Sequence, residues 1–295
     1  MMWLQLICQA SKETEPLISE AAENRGACSI TLADAGDNPV LEPLPNETPL
    51  WDDIIITMLF REEEQLLIDQ LETHLNANKD AWQISKLHQE ILEEQQWERL
   101  WMDDFHPMKF GENLWIYPSW SEVPEDDSVK IMLDPGLAFG TGTHATTALC
   151  LEWLDQNPPT GKSVVDYGCG SGILAIAAIK LGATSVVATD IDNQALIATV
   201  DNQEKNDIPN GTIHCYLPED MPTDKVDLML ANILCGPLIE LAESLCALTN
   251  SGGTIVLSGV LEEQQSALSE VYQPLCKDIQ FETQDGWVRM SATVR

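Results

Sequence analysis

The sequence predicts an α/β fold: a doubly wound, mainly parallel sheet over 113–295, preceded by a small α+β domain over 1–85 and a helical linker over 86–112. Three observations carry this. From about Ser128 strand-like and helix-like runs alternate, as successive βαβ units require. Strand runs such as Asp227-Leu-Met-Leu-Ala are apolar without interruption, the pattern of a strand covered on both faces. A glycine-rich turn, Gly168 to Gly172, stands between one such strand and the next helix.

Taken in order, Trp3 to Gln9 reads as a strand, Glu13 to Asn24 as a helix and Cys28 to Leu32 as a second strand. A Pro- and Asn-rich connection runs through Pro49, followed by a strand at Ile54 to Phe60 and an acidic amphipathic helix at Glu62 to Leu75. With a further strand near Trp82 to Ile84, this is the order of a ferredoxin-like split βαβ unit. From Ser85 to Asp104, Leu87, Ile91, Leu92, Leu100 and Trp101 fall mostly on one helical face, and Phe105-His-Pro ends the pattern. Asn113 to Pro118 is a strand.

Beyond it, strands are expected at Ser163 to Asp166, Ser185 to Thr189, Thr212 to Tyr216, Lys225 to Asn232 and Gly253 to Ser258. Helices fall at about Gly172 to Leu181, Gln194 to Lys205, Pro237 to Leu248 and Glu262 to Tyr272. Ile279 to Gln284 and Trp287 to Val294 are joined at Asp285-Gly286, the signature of an antiparallel hairpin.

Charge narrows the partners. With 48 Asp and Glu against 15 Lys and Arg, the formal net charge is −33. Such a surface repels phosphate backbones and anionic membranes, and it attracts a basic macromolecule. Acidity that serves only solubility fits the count equally well. The eight cysteines form no C-x-x-C pair and sit mostly in apolar runs, which fits reduced thiols in a cytoplasmic protein and no metal site. Met1 to Cys8 reads as a first strand, not a signal peptide, because no basic stretch precedes the apolar residues.

The turn Val164-Val-Asp-Tyr-Gly-Cys-Gly-Ser-Gly places Gly168, Gly170 and Gly172 between a strand and a helix. Glycines allow a sharp turn and close backbone approach to a ligand, and the helix start offers unpaired N–H groups to a carboxylate or phosphate. Asp190 ends the following strand, where a carboxylate accepts both hydroxyls of a ribose. Asp190 as a bare helix cap is the competing reading, and Asp192 stands nearby for that task. The glycine spacing is G-x-G-x-G, not the G-x-G-x-x-G of dinucleotide sites. Asn232 ends the Asp227 strand and faces the same crevice in a parallel sheet; its side-chain oxygen can accept from an amine, or it caps the next helix.

Over Val164 to Asn232 the chain resembles the class I, Rossmann-like methyltransferases that use S-adenosylmethionine. That resemblance implies that Gly168, Gly170 and Gly172 hold the methionine part and Asp190 the ribose. Tyr167 departs from the small or aliphatic residue usual before the first glycine. Phe139-Gly-Thr-Gly-Thr-His-Ala-Thr-Thr147, with Asp166-Tyr-Gly-Cys-Gly-Ser-Gly and Asn232-Ile-Leu-Cys-Gly-Pro-Leu, resembles the ribosomal protein L11 methyltransferase family more narrowly. So does Trp97 to Trp120; Ala145 stands where that family usually has Pro.

The narrower resemblance implies S-adenosylmethionine contacts from Thr147, Gly168, Asp190 and Asn232, with Asn232 positioning the acceptor amine. It also implies methylation of lysine ε-amines and an N-terminal α-amine on ribosomal protein L11, a basic substrate gripped by the N-terminal domain. A monomer acting without nucleic acid is expected. A methyltransferase for another protein, a small amine or a nucleobase remains an alternative. So do an NAD-dependent oxidoreductase and a nucleotide-binding module without catalysis.

Overall fold

The computed structural model describes residues 3–36, 50–92, 106–134 and 144–295, in two compact units, Met1–Trp97 and Glu98–Arg295. The first unit runs β1 (Trp3–Ser11), α1 (Glu15–Glu23), β2 (Ser29–Asp34), β3 (Asp53–Arg61), α2 (Gln65–Ala77) and β4 (Ser85–Leu92). Its sheet has the order β2-β3-β1-β4, antiparallel throughout. Alternation decides which face is buried: Leu4, Leu6, Cys8 and Ala10 of β1 meet Ile54, Ile56, Met58 and Phe60 of β3 on one side. The helices complete that core with Ile18, Ala21 and Ala22 from α1 and Ile68, Leu71 and Leu75 from α2, at helical spacing. Pro16 in the first turn of α1 supplies a preset φ where no N–H partner is needed.

Two linked expectations are corrected: Trp82 to Ile84, expected as the last strand of this unit, lies in the turn before β4. Ser85 to Leu92, read as the start of a helical linker over 86–112, is strand β4, paired with β1 from Trp3↔Leu92 to Ile7↔His88. Leu87 and Ile91 lie four apart, a spacing that suits one face of a helix and one face of a strand alike. Gln89, between them on the strand, donates to Asp69 and Glu72 of α2, so the alternation is hidden by a polar residue on the covered face. The later part of that helical pattern, 93–105, lies outside the described residues.

The second unit begins with a three-stranded sheet, β5 (Met108–Phe110), β6 (Leu114–Tyr117) and β7 (Val129–Met132). Then follow α3 (Ala145–Gln156), β8 (Ser163–Tyr167), α4 (Ile173–Lys180), β9 (Ser185–Thr189), α5 (Asn193–Lys205), β10 (Ile213–Tyr216) and β11 (Val226–Asn232). The chain ends with α6 (Cys235–Glu240), α7 (Ala242–Ala247), β12 (Thr249–Leu261), α8 (Gln265–Tyr272), β13 (Cys276–Gln284) and β14 (Trp287–Val294). The helix expected over Pro237 to Leu248 is therefore two short ones, meeting at Leu241.

The seven-stranded sheet has the order β10-β9-β8-β11-β12-β14-β13. β8 through β12 are parallel, and the β13–β14 hairpin joins them through an antiparallel pairing of β14 with β12. Both central faces are covered. Val164, Leu228, Leu230 and Val256 pack under α3, α4 and α5, while Val165, Met229, Ala231, Ile255 and Leu257 pack under α6, α7 and α8. The hairpin turns on Asp285 and Gly286 with φ of 51° and 79°, both left-handed, as a two-residue turn matching strand twist requires. Chain order reverses between β8 and β11, so the crevice at their carboxyl ends is where such a sheet takes a ligand. Among the described residues no helix is long and apolar enough to cross a membrane.

Candidate active site

β8 ends at Tyr167 and the chain enters the glycine turn with φ of +77° at Gly168, +52° at Gly170 and +76° at Gly172. All three values are left-handed, where a side chain is strained. Space is short as well. A Cβ on Gly172 would lie 2.7 Å from the Thr199 side chain, and one on Gly168 would overlap Ile233. Glycine is thus demanded at these two positions by the protein's own packing.

The turn is stitched to the neighbouring strand. Gly168 and Cys169 donate their N–H groups to the Thr189 carbonyl at 2.8 and 3.0 Å. Gly170 N–H donates to Asp190 Oδ2 at 2.9 Å, and Asp192 N–H donates to Asp190 Oδ1 at 3.0 Å. Asp192 itself caps α5 by accepting from Gln194 N–H at 2.9 Å, which leaves Asp190 outside the cap role. Beside it Ile191 is 88% exposed, a large apolar side chain lying open at the strand end.

Beneath the turn lies Asp166, 1% exposed. Its Oδ2 accepts from Ala175 N–H at 3.0 Å, in the first turn of α4. The N-cap of α4 is Gly172, which has no side chain, so a carboxyl from β8 caps the helix instead. Burial pushes the Asp166 carboxyl up to about 7; the Ala175 N–H opposes this and the nearby Asp190 adds to it. Among the described residues, Asp166 Oδ1 has no hydrogen-bond partner.

At the end of β11, Asn232 donates Nδ2–H to Thr147 Oγ1 at 3.2 Å. Thr147 is buried in the first turn of α3. The contact leaves Asn232 Oδ1, an acceptor with two lone pairs, turned to other partners. Asn232 does not cap α6, whose N-cap is Leu234. His144 caps α3, its Nδ1 accepting from Thr146 N–H at 3.4 Å, and its ring packs edge-on against Trp287 at 4.8 Å. The residues 135–143, with Phe139, Gly140 and Gly142, lie outside the described ones.

Two sets of participants escaped the sequence reading. Trp287 opens β14 and reaches His144 only because the hairpin returns it to the carboxyl end of the parallel strands. The other is a buried polar stripe on α5 and its end. Thr199 donates to the Gly170 carbonyl at 3.2 Å, and Asn202 to the Ser171 carbonyl at 2.9 Å. Asn206 exchanges two 2.8 Å bonds with the Met132 backbone, at the end of β7. Three polar residues spaced three and four apart on one helix face were the signal available in the sequence.

Comparison with known proteins adds a second, independent line. A family model described as ribosomal protein L11 methyltransferase (PrmA) matches residues 2–295. A protein of Idiomarina loihiensis named ribosomal protein L11 methyltransferase is 47% identical over 296 residues, covering 99% of each chain. One of the same name from Vibrio parahaemolyticus is 48% identical over 296 residues, covering 99% of this chain and 98% of the other. Among solved structures, a ribosomal protein L11 methylase from Lactobacillus delbrueckii subsp. bulgaricus superposes with a TM-score of 0.59 at 33% identity. That match covers 65% of this chain and all of the other.

Proposed function

Since the chain belongs to the ribosomal protein L11 methyltransferase family, we propose that it moves methyl groups from S-adenosylmethionine to lysine ε-amines and the N-terminal α-amine of ribosomal protein L11. The observation that carries the reading is the Asn232–Thr147 bond at 3.2 Å, on the same sheet end as the turn held by Asp190. It fixes the amide so that its oxygen is the free end, ready to accept from an acceptor amine and point the nitrogen lone pair. This is catalysis by positioning, since an in-line displacement needs alignment more than acid–base help.

The residues fit the cofactor. The Gly168, Gly170 and Gly172 turn takes the methionine part, the Asp190 carboxylate takes the ribose hydroxyls, and Ile191 offers an apolar flank to the base. When bound, the cofactor supplies a methyl group on a positively charged sulfur. The acceptor lysine must arrive neutral, which costs about 4–5 kcal/mol at neutral pH from its ordinary value. Water takes that proton in this reading, because none of the groups around Asn232 is assigned as a base.

The first unit grips the substrate. Its strand order β2-β3-β1-β4, with helices after the first and third strands, supports reading it as ferredoxin-like. The enzyme works in the cytoplasm as a monomer, and its net charge of −33 suits a basic protein over nucleic acid. The test is transfer of labelled methyl groups to purified L11, with the modified amines located by mass spectrometry. Label on L11 lysines and its N-terminus is expected; transfer to a small amine alone overturns the substrate assignment.

A further inference from the structure

We propose that Asp166 couples cofactor binding to release of one proton, and so makes the site favour the sulfonium cofactor over its uncharged thioether product. The inference rests on the reading that this turn binds S-adenosylmethionine. Three features of the structure lead to it. Asp166 is 1% exposed, directly under the turn, and one of its oxygens has no partner among the described residues. Its other oxygen holds the first turn of α4 through Ala175. A second carboxylate, Asp190, is tied to the top of the same turn through Gly170.

The groups that face Asp166 bring no compensating cation among the described residues. Asp190 faces it from the end of β9, Cys169 from the turn, Cys150 from α3 and Cys215 from β10. Arg289 of β14 acts on Cys150, one group further away. Burial pushes all three thiols up, Cys150 to about 12, so they stay neutral near pH 7. Burial of Asp166 disfavours its charged form, and the Asp190 charge nearby adds to that. In the free protein Asp166 therefore keeps a proton up to about pH 7.

A ligand with one extra positive charge changes that balance. S-Adenosylmethionine and S-adenosylhomocysteine share adenosine, the α-ammonium and the carboxylate, and differ by the methyl group and its sulfonium charge. When the sulfonium enters, the Asp166 O–H bond breaks, the electron pair stays on the carboxylate and the proton passes to the buffer. The negative charge left behind offsets the cation. The thioether drives no such step. Asp166 acts here as a positioning charge through the turn, not as a group touching the reacting atoms.

Titration calorimetry on the full-length protein, in two buffers of different ionisation enthalpy, tests this. At pH 7, S-adenosylmethionine is expected to release about half a proton more than S-adenosylhomocysteine. Relative to the product, the cofactor should bind about tenfold more tightly at pH 8 than at pH 6. Asp166→Asn should abolish both differences. Equal proton release for the two ligands, or a difference that survives in Asp166→Asn, overturns the proposal. Should that variant not fold, the carbon-13 signal of aspartate side chains in the native chain decides it. One carboxyl should titrate near pH 7 in the free protein and ionise on adding S-adenosylmethionine, and its absence is equally fatal. Failure of S-adenosylmethionine to bind at all would sink the cofactor reading itself, which is a distinguishable result.

Discussion

Asp190 holds two backbone N–H groups, those of Gly170 and Asp192, with a different oxygen on each. Its carboxylate is therefore in place before any ligand arrives, and ribose hydroxyls would meet an oriented acceptor. Asp190→Ala removes charged hydrogen bonds; the loss of even one, at roughly 1.5–3 kcal/mol, should weaken S-adenosylmethionine binding by at least about 10–100-fold, as calorimetry would read. Asp166 gives the opposite kind of prediction. Its carboxyl is raised from 3.8 to about 7, so the folded protein holds a proton that the unfolded chain has released. Stability from this group is present below pH 4 and is lost as pH rises to about 7. Asp166→Asn should accordingly raise the melting temperature of the free protein at pH 8 more than at pH 4. A larger gain at pH 4 would contradict the assignment. Both carboxylates were visible in the sequence as positions; that one is tied to the turn and the other is buried without a full set of partners was not.

At the scale of elements, the glycine turn and α5 are one device. Gly172 is left-handed with φ of +76°, and its absent Cβ is the space that Thr199 occupies. Gly172→Ala should cost roughly 1–3 kcal/mol in urea unfolding, from backbone strain together with displacement of Thr199. Gly211 has φ of +82° but no atom within 4 Å of the place a Cβ would take, so Gly211→Ala should cost less, which makes it the control. The strand-to-helix turn was legible because glycines cluster there between two apolar runs. The stripe of Thr199, Asn202 and Asn206 was less so, since polar residues on a helix are ordinarily solvated. β4 is not legible as a strand because Leu87 and Ile91 satisfy both periods, and only the open edge that β1 offers makes strand the better choice.

For the molecule as a whole, the net charge of −33 has a kinetic consequence. Attraction of a basic substrate is screened within about 10 Å at 0.1 M salt. The KM for L11 should rise severalfold between low and physiological salt while kcat stays nearly constant; a salt-independent KM would show that charge serves solubility alone. The sequence by itself determined the parallel α/β sheet, the glycine turn, Asp190 and Asn232 as strand-end residues, and the family resemblance. These are local features, written in periodicity and in residue types with few substitutes. Only tertiary structure decided that Asn232 meets Thr147, that Trp287 returns to His144, and that Asp166 is enclosed. Each depends on residues far apart in the chain, brought together by sheet order and helix packing, and burial is a property of the folded ensemble of neighbours that no single stretch records.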